Sequence, residues 1–446
     1  MQIILLSGGS GKRLWPLSNE VRSKQFLKIL RKEDGSHESM VQRMHRMILE
    51  ADQNAEITFA TSQSQAASVK AQLGEKPGIS IEPDRKDTFP AIALASAYLH
   101  DVKGISEEET AVVCPVDSYA DAPYFQKLTE LDRQAGKGEA NLVLMGVEPT
   151  YPSDKYGYII PQTREPLSFV KEFKEKPDAS AAEGYLKQGA LWNAGVFAYK
   201  LKYVLHLAAA AFGTAKYQEL SERYADLPPI SFDYAVVERE PKIQVMRFSG
   251  EWKHLGDWNS FTEVMHDGVA GNAVAVECEN THVINELQIP LIALGTKELA
   301  IAATPDGILV ADKQQSAMLK EYVTDQRPMY EKRIWGEYQV LDYRIQSDGQ
   351  NFLTKHLVIS PGQHISYQRH RHRTEIWTFV DGTGKLILDG KVTKVSRGDT
   401  AYIQAGVRHA IKAESSELHI IEVQVGDELT EEDIERLEWD WSQDEL

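Results

Sequence analysis

Short apolar runs alternate with stretches of helical spacing over the first 150 residues, and this alternation limits the fold more than any other feature. It predicts an α/β domain with a mostly parallel sheet, because parallel strands need a crossover connection that is usually a helix. In such sheets the ligand lies beyond the carboxyl ends of the strands. The predicted strands are residues 2–6, 57–60, 111–115 and 142–146, and the predicted helices are residues 39–49 and 91–100.

The pattern changes near residue 265. Residues 273–323 contain short apolar runs that are broken by polar turns, and these runs predict brief β-strands. From Trp335 onward, alternating runs separated by Asp-Gly turns predict an all-β domain. The acidic tail over residues 428–446 predicts a short exposed helix. We therefore expect three domains, which are residues 1–265 (α/β), 266–330 (a β-rich linker) and 331–446 (all-β).

A glycine-rich turn follows the first strand, in the sequence LLSGGSGKRLWPL. It is not a P-loop, because Leu6 stands where that pattern needs its first glycine, and it is not a Rossmann turn, because Leu14 replaces the third small residue. Bare backbone N–H groups at Gly8, Gly9 and Gly11 can approach a phosphate or a base edge closely. Positive residues surround the turn, namely Lys12, Arg13, Arg22, Lys24, Lys28 and Arg31.

Composition limits the class of partner. A net charge of −17 argues against nucleic acid or an anionic membrane surface as the main partner, because both carry negative charge. Cys114 and Cys278 lie far apart in the sequence and suit neither a disulfide framework nor a zinc site. The apolar run at residues 3–6 is too short for a signal peptide, and no apolar run is long enough to span a membrane. We therefore expect a cytoplasmic protein.

Six further motifs follow the loop in order. They are SKQF (23–26), IEPDRKDTFPAIALA (81–95), CPVDSYADA (114–122), YGYIIP (156–161), FKEKP (173–177) and WNAGVF (192–197). Together with the loop, this ordered set resembles the sugar-phosphate nucleotidylyltransferases, and most closely the mannose-1-phosphate guanylyltransferases. The resemblance covers residues 1–265. It implies a Rossmann-like (GT-A-like) nucleotidyltransferase domain that transfers GMP from GTP to mannose 1-phosphate and releases pyrophosphate.

The residue types suit this chemistry, which depends on positioning and charge neutralisation. Arg13 can grip phosphate oxygens with two parallel donors, Lys24 adds a mobile positive charge, and Asp117 suits Mg²⁺ or Mn²⁺. We therefore expect these three residues to be catalytic. The turn and the resemblance suggest nucleotide-binding roles for Ser7, Gly8, Gly9, Gly11, Lys12, Glu82, Asp87 and Thr88. The resemblance also implies that sugar phosphate is bound by Gly157, Glu175, Lys176, Asn193 and Gly195.

One position departs from the family pattern at the expected metal site. In the segment GEWKHLGDW (250–258), relatives have an aspartate that supplies a second carboxylate, and this chain has His254. An imidazole is a poorer ligand for Mg²⁺ and a better one for Mn²⁺, Co²⁺ or Zn²⁺. Asp257 could substitute only if the backbone shifts. We expect altered metal dependence, and a weakly catalytic nucleotide-sugar sensor or regulatory subunit is the alternative from a different class.

A second candidate metal site lies in the C-terminal domain, in HRHRTE (370–375) and the later GVRHAI (406–411). His370 and His372 are two residues apart, which places them on one face of a strand. With Glu375 and His409 they make a reasonable divalent transition-metal site. These segments are similar to the two cupin motifs, and the domain resembles the type II mannose-6-phosphate isomerase module. We therefore expect an all-β cupin barrel.

Two questions stay open. Isomerising relatives commonly have an arginine after the histidine of the second motif, and this chain has Ala410. The loss of a nearby cation weakens the stabilisation of a polarised carbonyl. The enzyme is therefore either bifunctional, or its cupin is retained for structure, dimer contact or regulation. The choice of GTP and mannose 1-phosphate, and the expected homodimer, rest on the resemblance alone, so a related nucleotidylyltransferase is the near rival.

Overall fold

The predicted strands of the first 150 residues lie in one large sheet. The computed structural model describes residues 1–9, 11–19, 22–324, 327–346 and 349–441. The N-terminal strands are β1 (Gln2–Leu6), β2 (Leu30–Arg31), β3 (His37–Glu38), β4 (Glu56–Ser62), β5 (Gly78–Glu82), β6 (Thr110–Pro115), β7 (Ser118–Ala120), β8 (Leu142–Val147), β9 (Tyr158–Pro161), β10 (Leu167–Lys174), β11 (Leu191–Lys200), β12 (Ile243–Phe248) and β13 (Trp252–His254).

Helices and short helical turns connect these strands. The α-helices are α1 (Met40–Ala51), α2 (Gln63–Leu73), α3 (Thr88–Ala97), α4 (Ala122–Gly136), α5 (Ala179–Lys187), α6 (Leu201–Phe212), α7 (Tyr217–Glu222) and α8 (Trp258–Thr262). Single 3-10 turns cover Lys12–Leu14, Lys24–Phe26 and Tyr224–Asp226, and π-helical turns cover Tyr98–Val102 and Asp233–Val237. Among the described residues, no helix combines the length and the apolar character that crossing a membrane requires.

Within the described ranges, nine strands form the large sheet in the order β5-β4-β1-β6-β11-β8-β12-β10-β9. Parallel pairing from β5 to β6 confirms the α/β prediction. The expectation of a mostly parallel sheet is wrong for the other half, because β11 lies antiparallel between β6 and β8. Leu6 pairs with Pro115 at the ends of parallel β1 and β6, so the glycine-rich loop and the segment of Asp117 leave the sheet side by side.

Both faces of the sheet are covered by helices. Apolar side chains of α3 and α6 pack on one face, and those of α1 and α4 pack on the other. Helix α1 begins with a capping box at Ser39, and it buries Val41, Met44 and Ile48 at the three- and four-residue spacing of a helix face. The helices predicted over residues 39–49 and 91–100 are therefore observed. The second one begins earlier than predicted and continues into the first π-helical turn.

The linker segment winds into a coil of short strands, followed by a 3-10 helix at Gln315–Glu321. Strands β14, β16 and β18 are parallel neighbours, β19 returns antiparallel to β18, and β15 pairs in parallel with β17. The brief strands expected here are therefore present, while the domain boundaries stay predictions. The strands are β14 (Val269–Gly271), β15 (Ala273–Val276), β16 (His282–Asn285), β17 (Leu291–Leu294), β18 (Leu299–Thr304) and β19 (Gly307–Asp312).

The C-terminal segment is all-β, as expected for a cupin barrel. Two sheets of its described residues have the orders β20-β21-β22-β29-β24-β27 and β26-β25-β28-β23-β30. The strands are β20 (Tyr330–Arg333), β21 (Gly336–Arg344), β22 (Asn351–Ile359), β23 (Tyr367–Arg369), β24 (Arg373–Asp381), β25 (Thr383–Leu388), β26 (Lys391–Ser396), β27 (Thr400–Ile403), β28 (His409–Ala413), β29 (Leu418–Gly426) and β30 (Glu435–Leu437).

The helix predicted for the acidic tail is wrong as far as residue 441, where the described residues end. A 3-10 turn at Glu431–Asp433 leads into β30, which pairs antiparallel with β23. Leu437, Trp439 and Trp441 pack near Tyr367. These three residues alternate at the two-residue period of a strand, and that pattern outweighs the acidic composition.

Candidate functional site

The glycine-rich loop begins where β1 ends, and its backbone is held by neighbouring segments. Ser7 is buried, and its carbonyl oxygen accepts a hydrogen bond from the Gln25 side chain at 2.7 Å. Gly11 has φ 66°, a left-handed conformation that favours glycine. A Cβ on Gly11 would lie 2.3 Å from the carbonyl oxygen of Asn19. The loop is therefore a tight turn that only glycine permits at this position, and Arg13 follows it in the first 3-10 turn.

Asp117 lies just beyond β6, between a lysine and a histidine. Nζ of Lys24 is 2.9 Å from Oδ2 of Asp117, and Nδ1 of His254 is 3.5 Å from Oδ1. His254 reaches this position because β13 pairs antiparallel with β7, which sets His254 opposite Ser118. Lys24 also donates to the carbonyl oxygen of Leu255 at 2.5 Å. Lys24 and His254, which belong to distant motifs, therefore both contact Asp117.

The surroundings of Asp117 keep its carboxyl group ionised. Burial would raise the pKa of this group, but the neighbouring His254 and Lys24 outweigh burial and hold the pKa well below its usual range. The Asp117 side chain is 24% exposed, so the carboxylate is open to the cleft on one side. An ionised oxygen ligand beside an imidazole nitrogen fits a divalent cation.

Asp257 does not replace the missing carboxylate. Its side chain caps α8 by accepting a hydrogen bond from the backbone N–H of Ser260 at 3.0 Å. It also forms an ion pair with Lys155 at 2.9 Å. A backbone shift that brought Asp257 to Asp117 would therefore break a helix cap and an ion pair.

Glu175 and Lys176 form an ion pair in the same cleft as Asp117. The Glu175 side chain is 7% exposed, whereas that of Lys176 is 57% exposed. Gly157 lies directly beside the carboxylate, because a Cβ at that position would be 2.5 Å from Oε2 of Glu175. The glycine thus makes room for the Glu175 carboxylate, and the exposed Lys176 ammonium lies on the solvent side of the pair.

Asp233 is a site residue that the sequence motifs missed. Nδ2 of Asn193 donates to Oδ1 of Asp233 at 2.7 Å, and the backbone N–H of Gly195 donates to Oδ1 of Asn193 at 3.0 Å. Burial, reinforced by the nearby Glu175, raises the pKa of Asp233 to about 7. No spacing rule pointed to Asp233, which opens a π-helical turn outside every recognised motif.

Glu82 lies at the end of β5 and faces the glycine-rich loop. Its Oε2 accepts a hydrogen bond from the Tyr224 hydroxyl at 3.0 Å. Its Oε1 is 3.9 Å from the position that a Cβ on Gly8 would occupy. Burial raises the pKa of Glu82 to about 7, although the Tyr224 hydroxyl acts in the opposite direction. One carboxylate oxygen of Glu82 therefore faces the glycine-rich loop at Gly8.

Asp87 and Thr88 hold the backbone of this segment in place. Asp87 caps α3 in a left-handed conformation with φ 67° and accepts a hydrogen bond from the Thr88 N–H at 2.7 Å. Oγ1 of Thr88 accepts from the Phe232 N–H at 2.8 Å. Because Phe232 precedes Asp233, this bond links the segment after Glu82 to the turn that carries Asp233.

A single cleft of about 940 Å³ joins most of these residues. Among the predicted site residues it is lined by Arg13, Asp117, Gly157, Glu175, Lys176, Asn193, Gly195 and His254. Lys24 reaches it through Asp117. The other predicted residues of this domain do not line it. They lie in the adjoining loop, at the end of β5 and at the start of α3, and they are Ser7, Gly8, Gly9, Gly11, Lys12, Glu82, Asp87 and Thr88.

In the C-terminal barrel, three predicted metal ligands converge. The ligand atoms of His370, Glu375 and His409 all lie within 4.8 Å of one another, and all three side chains are buried. Nδ1 of His370 contacts the carbonyl oxygen of Asp433, and Nδ1 of His409 contacts that of Val407. A carbonyl only accepts, so each Nδ1 carries a proton, and each Nε2 is turned towards Glu375 at 3.1 and 3.4 Å. A metal ion bound between these groups would displace the proton that the Nε2 atoms share with the carboxylate.

The inclusion of His372 in this site is wrong. His372 lies beyond the end of β23, its side chain is 46% exposed, and it is close to Asp427 instead of Glu375. The inward neighbour of His370 is Gln368, whose Nε2 is 3.4 Å from Nε2 of His370. Gln368 pairs in register with His409. The two-residue alternation therefore holds, but it runs backwards from His370 into the strand.

A buried arginine adjoins this group. Nε of Arg373 donates to Oε1 of Glu375 at 2.9 Å, and Nη1 donates to the carbonyl oxygen of Thr430 at 2.7 Å. Nη2 is 3.4 Å from Nε2 of His370. The guanidinium therefore supplies a cation beside the ligand group, and it competes with a metal ion for Glu375.

Comparison with known proteins decides the family. The family model described as nucleotidyl transferase matches residues 2–269. The chain belongs to the nucleotidyl transferase family. A second model, described as the C-terminal domain of mannose-6-phosphate isomerase, matches residues 320–439.

This nucleotidyltransferase has relatives that match it over nearly its full length. It is 33% identical to the xanthan biosynthesis protein XanB of Xanthomonas campestris pv. campestris (strain B100), over 98% of this chain and 97% of the relative. It is 30% identical to mannose-1-phosphate guanylyltransferase of Salmonella montevideo, over 97% and 98% of the two chains. A crystal structure described as mannose-1-phosphate geranyltransferase of Thermus thermophilus is 27% identical, covers 72% of this chain and 97% of its own, and aligns with a TM-score of 0.60.

The geometry of the barrel predicts which variants of this nucleotidyltransferase lose a bound metal. The full-length protein, incubated with Zn²⁺ and desalted, should retain about one ion in the barrel, because two imidazoles and one carboxylate converge there. Glu375→Gln and His409→Ala should abolish this binding, whereas His372→Ala should leave it unchanged. Elemental analysis of the metal in each variant provides the measurement. Loss of the ion from His372→Ala, or its retention in Glu375→Gln, would contradict the assigned ligands.

Proposed function

We propose that the chain transfers GMP from GTP to α-D-mannose 1-phosphate, forming GDP-mannose and pyrophosphate for polysaccharide biosynthesis. The observation that carries the proposal is one cleft in which Arg13, the Lys24–Asp117 pair and the Glu175–Lys176 pair lie together. The cleft offers cationic groups for two phosphorylated substrates and a carboxylate for a divalent cation. The names of the relatives from Salmonella montevideo and Xanthomonas campestris support the choice of substrates and pathway class.

In the proposed reaction, a phosphate oxygen of mannose 1-phosphate attacks the α-phosphorus of GTP. The new P–O bond forms as the bond from the α-phosphorus to the bridging oxygen breaks, and pyrophosphate leaves. Lys176 holds the attacking phosphate, and Glu175 accepts hydrogen bonds from sugar hydroxyls. Arg13 and Lys24 neutralise the charge that collects on the departing pyrophosphate. A general base is unnecessary, because the attacking oxygen is already ionised near pH 7.

Asp117 would hold the divalent cation of this reaction, with the imidazole of His254 beside it. A bound cation supplies further neutralisation of the phosphate oxygens. The contribution of the chain is to keep the Asp117 carboxylate ionised through its neighbours and to leave it open towards the cleft.

Turnover tests the proposed function. Pyrophosphate release from GTP plus mannose 1-phosphate should fall about 100-fold or more in Asp117→Ala, because the ligand of the cation is worth several kcal/mol in the transition state. Asp34→Ala, which removes an exposed carboxylate of the same domain, is the matched control and should retain full activity. Tight GTP binding without pyrophosphate release in any metal would contradict the enzyme and support the nucleotide-sugar sensor. Release with another nucleotide or sugar 1-phosphate would support the related nucleotidylyltransferase.

The metal preference of His254 gives a second prediction. His254→Asp should increase activity with Mg²⁺ about tenfold and reduce the advantage of Mn²⁺ or Co²⁺, since a carboxylate is the better ligand for the harder ion. The measurement is the rate across titrations of the three metals. Wild-type activity with Mg²⁺ that equals the activity of the variant would show that His254 does not set the metal dependence.

Glu82 is the residue that we propose to read the guanine base. Its Oε2 is occupied by Tyr224, while Oε1 faces the glycine-rich loop. An ionised carboxylate accepts hydrogen bonds from the ring N–H and the amino group on the Watson–Crick edge of guanine, and adenine and uracil lack that pair of donors. When Glu82 is protonated, one of its oxygens becomes a donor and no longer accepts a hydrogen bond from guanine. Guanine binding therefore requires ionised Glu82.

Because the pKa of Glu82 is raised to about 7, GTP binding should strengthen as the pH rises through that value. About one-tenth of Glu82 is ionised at pH 6 and about nine-tenths at pH 8, so the KM for GTP should fall about tenfold over this range. The variant Glu82→Gln cannot ionise and should lose this component of the pH profile. A profile that is identical in the wild type and in Glu82→Gln would exclude Glu82 as the titrating group.

For the cupin domain we propose metal binding without isomerisation of mannose 6-phosphate. Ala410 is fully buried and offers no cation where isomerising relatives have arginine. The guanidinium of Arg373 is already bonded to Glu375 and Thr430, so it is not available to a substrate carbonyl. The Zn²⁺- or Co²⁺-loaded protein should therefore produce no fructose 6-phosphate from mannose 6-phosphate. Conversion that Glu375→Gln abolishes would establish the bifunctional alternative.

We also propose that the chain forms a homodimer through the linker. Val274 pairs with Ile292, and Val276 with Leu294, in two strands that contain no charged residue. These four side chains are 40–70% exposed, and a contiguous apolar patch of this kind marks an interface. Sedimentation equilibrium should give the mass of two chains, and Ile292→Glu should give the mass of one. Ile345→Glu, at an exposed site in the barrel, is the control that should stay dimeric.

A further inference from the structure

Asp306 in the linker connects the glycine-rich loop to the C-terminal barrel. Nδ2 of Asn19 donates to Oδ2 of Asp306 at 2.8 Å, and the backbone N–H of Met329 donates to Oδ1 at 2.6 Å. Met329 immediately precedes the first barrel strand and packs against the barrel core. Both oxygens of one carboxylate are therefore engaged, one by the loop of the transferase domain and one by the chain that enters the barrel.

Asp306 sits on a short and rigid hairpin turn. Thr304 pairs with Gly307, so only two residues connect β18 to β19. The hydroxyl of Thr304 donates to the carbonyl oxygen of Pro16 at 3.1 Å. The Trp15 ring packs on Gly307, where a Cβ would lie 2.3 Å from a ring carbon. The turn thus contacts the loop segment at three places, and its own conformation is fixed by the paired strands.

Asn19 contacts both Asp306 and the part of the loop that faces the cleft. Its carbonyl oxygen lies against Gly11, as described above, and the Ser18 hydroxyl donates to the carbonyl oxygen of Gly11. Gly11 directly precedes the 3-10 turn that carries Arg13. Oδ1 of Asn19 accepts from the Arg22 N–H at 2.6 Å, which fixes the rotamer that points Nδ2 at Asp306.

We propose that Asp306 is a positioning residue for nucleotidyl transfer, which holds Asn19, and through it Gly11 and Arg13, in the geometry that receives the triphosphate. It lines no part of the cleft described above and acts only through other residues. Phosphoryl-type transfer depends on placement, and small displacements of a phosphate-binding group reduce the rate strongly. The inference rests on the proposed function and extends it, because it makes the linker part of the machinery of transfer.

The Asn19–Asp306 pair permits a donor–acceptor exchange as a test in the full-length chain. In Asp306→Asn, the amide oxygen can still accept from Met329, but its NH₂ group then faces the NH₂ group of Asn19. In Asn19→Asp, two carboxylates face each other. In the double variant, donor and acceptor are exchanged and every hydrogen bond of the pair can form again. Glu298→Gln is the control, because it alters a bond of similar length, from Asn280 at 2.7 Å, in the same linker and outside the hairpin turn that contacts the loop.

We expect Asp306→Asn and Asn19→Asp each to lower kcat/KM for GTP about tenfold or more, as the loss of a hydrogen bond to a charged group implies. The KM for mannose 1-phosphate should stay within about twofold, since Glu175 and Lys176 do not contact the linker turn. The double variant should recover most of kcat/KM for GTP, and Glu298→Gln should match the wild type. In parallel, hydrogen exchange of the backbone amides of residues 7–19 should accelerate in each single variant and slow again in the double variant.

Several outcomes would overturn the inference. One is wild-type kcat/KM for GTP in Asp306→Asn, and another is a double variant that is as slow as the slower single variant. A merely structural role would lower the unfolding temperature of the single variants and reduce kcat/KM for both substrates alike, which would also contradict the inference. If the wild type transfers no GMP, the proposed function fails but the inference is still tested by exchange of the loop amides, and unchanged exchange in the single variants overturns it.

Discussion

The transferase cleft depends on the compensation of one carboxylate, Asp117. A charged group that leaves water at the end of a strand requires positive partners, because the desolvation of an unpaired charge is very unfavourable. Lys24 provides a positive partner and His254 an imidazole nitrogen, and the two residues come from segments that are distant in the sequence. The need to neutralise Asp117 therefore brings the turn after the glycine-rich loop, the end of β6 and the β7–β13 pair to one point. The second ion pair of the cleft, Glu175–Lys176, follows the same rule.

Much of this cleft was predictable from the sequence because its signals are local. Gly11 is required by a backbone angle, and Asp117 follows a buried strand directly, so each could be read from a few neighbouring residues. Asp233 and the antiparallel course of β11 were not predictable in this way. Strand β11 is buried on both faces, so its apolar run has no period that reveals direction, and its partners are set by long-range topology. Asp233 reaches the cleft through its contact with Asn193, forty residues away in the sequence.

In the barrel, the point at which β23 ends determines which side chains reach the predicted metal site. The alternation rule requires that both histidines lie within a strand, but β23 ends at Arg369. The His370 side chain points inward as the strand residues do, whereas the His372 side chain is partly exposed, and Gln368 is the neighbour that lies beside His370 inside the barrel. The acidic tail gave a wrong prediction for a related reason. Its acidic composition predicts an exposed helix, but Leu437, Trp439 and Trp441 alternate with a period of two residues, and this alternation indicates a strand.

The contact between Asn19 and Asp306 has a consequence for the history of such chains. The two residues are separated by 287 positions, yet they form a single donor–acceptor pair. If the pair positions the loop as proposed, a change at one residue requires a complementary change at the other, and the two positions should covary among related sequences. The transferase domain and the linker should then be inherited as one unit. Recombination that joined this transferase domain to a foreign linker would separate the pair, and it would also replace Ala317, Lys320 and Glu321, which line the cleft.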